Sequence, residues 1–270
     1  MHLRHPVRVA NIYHSINPAG PPMSLPEVTD PERFAFFFDF DGTLADIVER
    51  PEDVEVTEAT RAAIEALREL SGGAVAIVTG RDIPSIDQFL DPLRLPIAGV
   101  HGLTRRDANG QLHSPEIDTA GLKAIETALE PLVNRENGLL LERKHGAIAL
   151  HYRKRPELED LCLDAMLRAA EGASNVTIRR GKMVIEAIGH ASNKGAAIES
   201  FLQEAPFRGR TPVFAGDDLT DEDGFLLVNA GGGISIKVGL GETEARYRVA
   251  DREGLLDWLN RIVDHGKTSK

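Results

Sequence analysis

At 270 residues, 42% of them hydrophobic, the chain is long enough for a core domain plus a smaller second one. Its 31 basic against 42 acidic residues leave a formal charge of −11, which excludes nucleic acid and an anionic membrane surface as main partners and makes any positive charge in a site local. The single cysteine, Cys162, excludes a disulfide framework, no apolar run approaches a membrane span, and residues 1–30 lack the continuous apolar segment of a secretory signal, so a cytoplasmic protein is expected.

Residues 1–30 hold five prolines and little periodicity, the pattern of a loosely ordered extension. The stretch Phe34 to Phe38 has no polar alternation and reads as a central parallel strand covered on both faces. It ends in Asp39-Phe40-Asp41-Gly42, two carboxylates one residue apart at the carboxyl end of a strand, where open α/β sheets bind ligands. An aspartate placed there can attack phosphorus and form an aspartyl phosphate. Asp39, first out of the strand, is the expected nucleophile; Asp41 points to the same side while the chain stays extended and is the expected general acid and base. A calcium-binding loop would need its glycine at the sixth position and a preceding helix, and this stretch has neither.

An amphipathic helix follows from Thr57, with Ala63, Leu67 and Leu70 on its apolar face and Gly72-Gly73 at its end. Ala74 to Val78 is the next buried strand, ending in Thr79-Gly80-Arg81, where a hydroxyl and a glycine amide can hold a phosphoryl oxygen. Taken alone, the tripeptide fits a turn into the helix from Asp82 equally well. A short strand, Ile97 to Val100, leads to His101, which by itself suits a structural histidine. From Thr104 the texture changes: two successive helix, strand, strand units predict a small α+β domain, with strands at Leu139 to Arg143, Ala147 to Tyr152, near Val176 to Arg179, and Met183 to Ile188. Inserted between core elements, such a domain would serve as a lid.

Ser192-Asn193-Lys194-Gly195 opens the next helix, and a lysine in its first turn opposes the helix dipole, so Lys194 has a job beyond helix stability. Pro212 to Ala215 is a strand ending in Gly216-Asp217-Asp218-Leu219-Thr220-Asp221-Glu222, whose crowded acids with Asp39 make an oxygen site suited to Mg²⁺. For Glu222 and Asp223 a solvated loop remains open. The glycines near 231 and 239 do not fit a dinucleotide fingerprint and read as turns around the strand Ile234 to Val238. A short strand near Tyr247 to Ala250 and a helix through Trp258 and Ile262 close the core.

The segment Asp39-x-Asp41-Gly42-Thr43-Leu44 resembles, residue for residue, the first motif of the haloacid dehalogenase superfamily. Thr79, Lys194 and the Asp217-Asp218 cluster resemble its other three motifs in order. The resemblance spans Phe34 to Ile262. It implies an α/β fold, a haloacid-dehalogenase-like Rossmannoid parallel sheet core (31–103 and 190–266) with an inserted α+β cap domain of two α-β-β units (104–189). It also implies phosphate-monoester hydrolysis with catalytic Asp39, Asp41, Thr79 and Lys194. Mg²⁺ is expected on Asp39, the Asp41 carbonyl and Asp217, with Asp218 close by and Asp221 in the second shell.

Within the superfamily, Glu142-Arg143-Lys144, Leu150-His151-Tyr152-Arg153 and Gly181-Lys182-Met183-Val184-Ile185-Glu186 resemble the cap of the trehalose-6-phosphate phosphatase family. By that resemblance Glu142, Lys144, Arg153, Lys182 and Glu186 contact the sugar, with Gly80, Arg81 and His101 assigned to the substrate from the core. The implied partner is a small sugar phosphate, trehalose 6-phosphate; a monomer is the expectation, although the sequence itself does not specify oligomeric state. Two alternatives stand beside this: another sugar-phosphate phosphatase with the same cap type, and a non-catalytic sugar-phosphate-binding module.

Overall fold

The five residues Phe34–Phe38 form a strand with no free face: Phe36 and Phe38 join one apolar cluster, Phe37 the other, and all three are fully buried. Around this strand the computed structural model describes residues 8–9, 25–48, 53–114, 117–144, 146–173, 176–181, 183–189 and 193–268. They fall into two units, one from residues within 16–114 and 192–270, the other from residues within 1–15 and 115–191.

The larger unit contains β2 (Phe34–Phe38), α1 (Glu58–Leu70), β3 (Val75–Val78), α2 (Ile83–Phe89), β4 (Ile97–Gly99), β5 (Thr104–Arg106) and β6 (Leu112–His113). After the insertion it resumes with α5 (Lys194–Leu202), β11 (Thr211–Gly216), α6 (Glu222–Ala230), β12 (Ile234–Val238), β13 (Tyr247–Val249) and α7 (Arg252–Thr268). Its sheet runs β13-β12-β11-β2-β3-β4-β5-β6. The pairs from β13 to β4 are parallel, and only β4–β5 and β5–β6 are antiparallel. Central parallel strands need cover on both sides. One face packs Ile64 and Leu67 of α1 and Trp258 and Leu259 of α7 in the cluster around Phe36; the other packs Ile198 and Phe201 of α5 and Phe225 of α6 in the cluster around Phe37.

The helices start where short polar side chains can satisfy free amides. Thr57 accepts from the Thr60 amide at 3.1 Å, Asp82 from Ser85 at 2.9 Å, and Asn193 from Ala196 at 2.7 Å. α1 ends as read, at Gly72 and Gly73 with φ of +58° and +90°.

Two expected boundaries are corrected. Residues 104–113 were assigned to the cap, but β5 and β6 extend the core sheet, with Ala98 opposite Arg105 and Arg106 bonded through its guanidinium to Asp87 of α2 at 2.6 and 2.7 Å. Among residues 1–30, the described segment from Leu25 is not a loose extension. Val28 is 2% exposed and the Trp258 indole donates to the Pro26 carbonyl at 2.9 Å, because the apolar residues there complete the cluster under α7. The remainder of that expectation lies outside the described residues, Arg8 and Val9 excepted.

The smaller unit is built from β1 (Arg8–Val9), α3 (Thr119–Arg135), β7 (Leu140–Lys144), β8 (Ala147–His151), α4 (Glu159–Ala169), β9 (Thr177–Gly181) and β10 (Val184–Ile188). Its sheet order is β1-β9-β10-β8-β7, and β7 to β10 are joined antiparallel. Gly146, at φ +74°, makes the β7–β8 turn. Leu122, Ile125 and Leu129 of α3 and Cys162 and Met166 of α4 pack with Ile148, Leu150, Ile178 and Ile185, so one sheet face is core. The residues between these in sequence point to the other face.

Candidate active site

Asp39 leaves β2 with its amide bonded to the Ala215 carbonyl at 2.9 Å, and it is 5% exposed. Its carboxylate meets the Lys194 ammonium at 2.8 Å, delivered by the first turn of α5. The same ammonium bonds Asp221 at 2.7 Å, and Asp221 is fully buried. Two features of the chain place Asp221 there. Gly216 has no side chain, and a Cβ on it would lie 2.3 Å from the Asp221 carboxyl carbon. Asp218 and Asp221 also form a reciprocal cap on the short 3₁₀ turn Leu219–Asp221, with the Asp218 amide bonded to Asp221 at 3.0 Å.

Asp217 completes the group: one carboxylate oxygen each from Asp39, Asp217 and Asp221 lie within 4.8 Å of one another. Gly42 makes the approach possible, since at φ +76° a Cβ would fall 2.1 Å from an Asp217 oxygen. The Thr43 hydroxyl, fully buried, reaches the Asp217 carboxylate at 3.5 Å.

Three acids face one lysine at a buried point, and the electrostatics record the excess. Burial first, then Asp221, pushes the Asp39 carboxyl well above the usual carboxylate range against the pull of Lys194. Burial and Asp221 likewise raise Asp217. Burial works against the Lys194 charge, but Asp39 and Asp221 outweigh it and hold the ammonium above its ordinary value. A cluster of hard oxygen donors with surplus negative charge fits a divalent cation such as Mg²⁺. Asp221, expected in the second shell, stands in this group of acids, and Asp218, expected close by, does not. Asp218 lines the cavity and spends its carboxylate on the Leu219 amide at 2.6 Å.

The Asp41 side chain lines the same cavity but is not a member of this group. Arg81 grips it with two bonds of 2.7 Å, and the guanidinium lies over the Phe89 and Phe40 rings at 5.1 and 5.9 Å. Thr79 is 1% exposed, and its hydroxyl accepts the Arg81 amide at 3.1 Å, which fixes the turn after β3. His101 belongs to a turn in which Val100 and His101 both have left-handed φ, +51° and +54°. A β-branched residue there is strained, and the turn is held by bonds from Val100 to the Arg81 carbonyl and from His101 to the Thr79 carbonyl. The ring is thereby laid against Gly80, where a Cβ would be 2.7 Å away.

Asp39, Asp41, Gly80, Arg81, His101, Lys194, Asp217 and Asp218 line one open cavity of about 480 Å³. Ile47, Val48 and Thr220 line it too and were not expected from the sequence.

The residues expected to meet the sugar belong to the smaller unit. Glu142 and Glu186 both stand opposite Ala149, so they share the sheet face turned from the helices. Glu142 bonds His151 at 2.7 Å, and Arg153 is exposed in the turn after β8. Lys144 closes β7, and Lys182 lies outside the described residues.

The trehalose-phosphatase family model matches residues 37–253. The trehalose-6-phosphate phosphatase of Escherichia coli (strain K12) is 41% identical over 244 residues, covering 89% of this chain and 92% of that protein. A probable trehalose-phosphate phosphatase of Sinorhizobium fredii is 41% identical over 215 residues, covering 78% and 80%. In fold, the trehalose-6-phosphate phosphatase of Aspergillus fumigatus superposes with a TM-score of 0.77 at 23% identity, covering 91% of this chain and all of that one. The match to the family model runs from within β2 past β13, through every element that carries the cavity's acids and its lysine, and with it the chain is shown to be a phosphatase that belongs to the trehalose-phosphatase family.

Proposed function

We propose that the protein hydrolyses trehalose 6-phosphate to trehalose and inorganic phosphate in the cytoplasm, through an aspartyl phosphate on Asp39 and with Mg²⁺. The observation that carries this is the buried contact of Asp39 with Lys194 at 2.8 Å, inside a ring of acids that leaves Asp39 as the carboxylate at the strand end. Asp39 attacks phosphorus in line and expels the sugar oxygen. Asp41, which takes up a proton once it leaves the Arg81 clamp, gives that proton to the sugar oxygen and then takes one from the water that cleaves the acyl phosphate. Lys194 holds Asp39 in place and offsets charge gathering on the transferring phosphoryl. Asp39 and Asp217, backed by Asp221, would hold the Mg²⁺, which when bound neutralises phosphoryl charge. Glu142, Glu186, Lys144, Lys182 and Arg153 supply donors and acceptors for the hydroxyls of the disaccharide.

The test is phosphate release from trehalose 6-phosphate, sucrose 6-phosphate and glucose 6-phosphate, with and without a chelator. Trehalose 6-phosphate is expected to be the preferred substrate, activity to vanish on chelation and to return with Mg²⁺, and Asp39→Asn to lose about a thousandfold or more. Equal turnover of glucose 6-phosphate would overturn the substrate, and near-normal turnover by Asp39→Asn would overturn the nucleophile.

A further inference from the structure

Lys237 is 4% exposed on β12, whose other residues, Ile234, Ser235, Ile236 and Val238, are buried too, and nothing in the chemistry above uses it. Burying an ammonium is costly unless it is paired and hydrogen-bonded. The sheet register sets Lys237 opposite Gly216, one residue before Asp217, and its ammonium donates to the Asp217 backbone carbonyl. Lys237 also acts electrostatically on two half-buried acids, Asp217 and Glu222. Glu222 is fixed in turn by the Glu244 amide at 2.7 Å.

Asp217 is thus pinned from three directions. Thr43 meets its carboxylate, the Cα of Gly42 leaves room for that carboxylate, and Lys237 takes its carbonyl. The first two come from the loop after β2; Lys237 reaches Asp217 from β12, on the other side of β11. For an acid at a strand end, the orientation of its own peptide decides where the carboxylate points. A partner for the carbonyl is therefore a way of aiming the side chain.

We propose that Lys237 is a positioning residue for the cation site: by holding the Asp217 carbonyl it aims the Asp217 carboxylate at the point shared with Asp39 and Asp221. The inference rests on reading those three acids as the Mg²⁺ site. It makes a prediction whose sign is informative. A positive charge near a cation site repels the cation, so if Lys237 acted only through its charge, removing it would tighten Mg²⁺ binding. If it acts by positioning, removing it weakens Mg²⁺ binding, because a metal ligand loses the group that orients it.

The experiment is calorimetric titration of the whole protein with Mg²⁺, in the absence of substrate, for wild type, Lys237→Met and Lys237→Gln, with melting temperatures measured alongside. Lys237→Met is expected to bind Mg²⁺ at least about tenfold more weakly. Lys237→Gln drops the charge but keeps an N–H donor on a chain one atom shorter, and its affinity should fall between the two. An Lys237→Met protein that melts earlier but binds Mg²⁺ as well as wild type, or more tightly, overturns the proposal. Should Lys237→Met fail to fold, Lys237→Gln decides: weaker binding than wild type supports positioning, and equal or tighter binding overturns it. A wild-type protein that takes up no Mg²⁺ overturns the metal reading itself, a result distinct from any difference among the variants.

Discussion

At the scale of single residues, the two acids of the first motif have different neighbours and therefore different duties. Asp39 is buried against Lys194, whereas Asp41 is half-exposed and clamped by Arg81. The need for Asp41 depends on the leaving group, since a sugar alkoxide must be protonated and a nitrophenolate need not be. Asp41→Asn should therefore slow trehalose 6-phosphate hydrolysis by about a hundredfold or more while costing p-nitrophenyl phosphate much less; equal losses on both substrates would remove the acid role. Asp39, Asp41, Lys194 and Asp217 were legible because each stands at a strand end or helix start that the apolar pattern marks out. Asp221 was less so, being read only as a second-shell acid, although its spacing from Asp218 is that of a capping pair, and that signal would have placed it facing inward. Thr43 and Lys237 gave no such signal. Their roles depend on Asp217, which is remote from both in sequence.

At the scale of elements, β8 and β10 show why alternation was readable. Ile148, Leu150, Ile185 and Ala187 feed the core while Ala149, Glu186 and His151 take the other face. Ala149 is a small residue that stands opposite Glu142 on one side and Glu186 on the other, so the two acids flank it on one sheet face. Glu186→Ala should lower kcat/KM for trehalose 6-phosphate by about tenfold, the loss of roughly 1.4 kcal/mol of transition-state contact, and leave p-nitrophenyl phosphate hydrolysis nearly unchanged. A matching fall on both would make Glu186 a support of the sheet. The β5–β6 hairpin was misassigned for a physical reason: its strands are short and half-exposed, and Thr104-Arg105-Arg106 carries no apolar alternation. α6 was hidden by the acids at its start, which suited a solvated loop as well.

What docks the hairpin is a charge pair. Arg106 holds the Asp87 carboxyl below the ordinary value of 3.8, mainly through its hydrogen bonds. A carboxyl lowered by folding adds stability above its unfolded value, and that stability is lost as the pH falls through the folded one. Asp87→Asn should thus lower the urea midpoint at pH 7 and flatten its decline below about pH 4. Curves for variant and wild type that stay parallel into acid would show that the pair adds nothing.

At the scale of the whole molecule, a net charge of −11 is set against the local positive charge of Lys194 and Arg81 in the cavity, which a bound phosphate would meet. Surplus acid at the centre of the larger unit also links the metal to stability. Because Mg²⁺ would bind the folded protein and not the unfolded chain, millimolar Mg²⁺ should raise the melting temperature and a chelator should reverse the rise. A melting temperature indifferent to both would count against a cation on these acids.

The order of strands has a consequence for how the protein is made. β2, which leads into Asp39, is flanked in the finished sheet by β3 and by β11, and β11 is synthesised roughly 170 residues later, after the insertion; at about 5–20 residues per second that is a delay of about ten to thirty-five seconds. During that interval a strand of five apolar residues presents an unsatisfied edge, the kind of template on which other nascent chains can pair. Lys194, Asp217 and Asp221 all arrive after the insertion, so a ribosome-bound chain stalled within the smaller unit would display Asp39 without its partners. Slowing translation between the two halves should therefore lower the soluble yield more than slowing it after β11, a difference measurable by moving one cluster of rare codons along the gene.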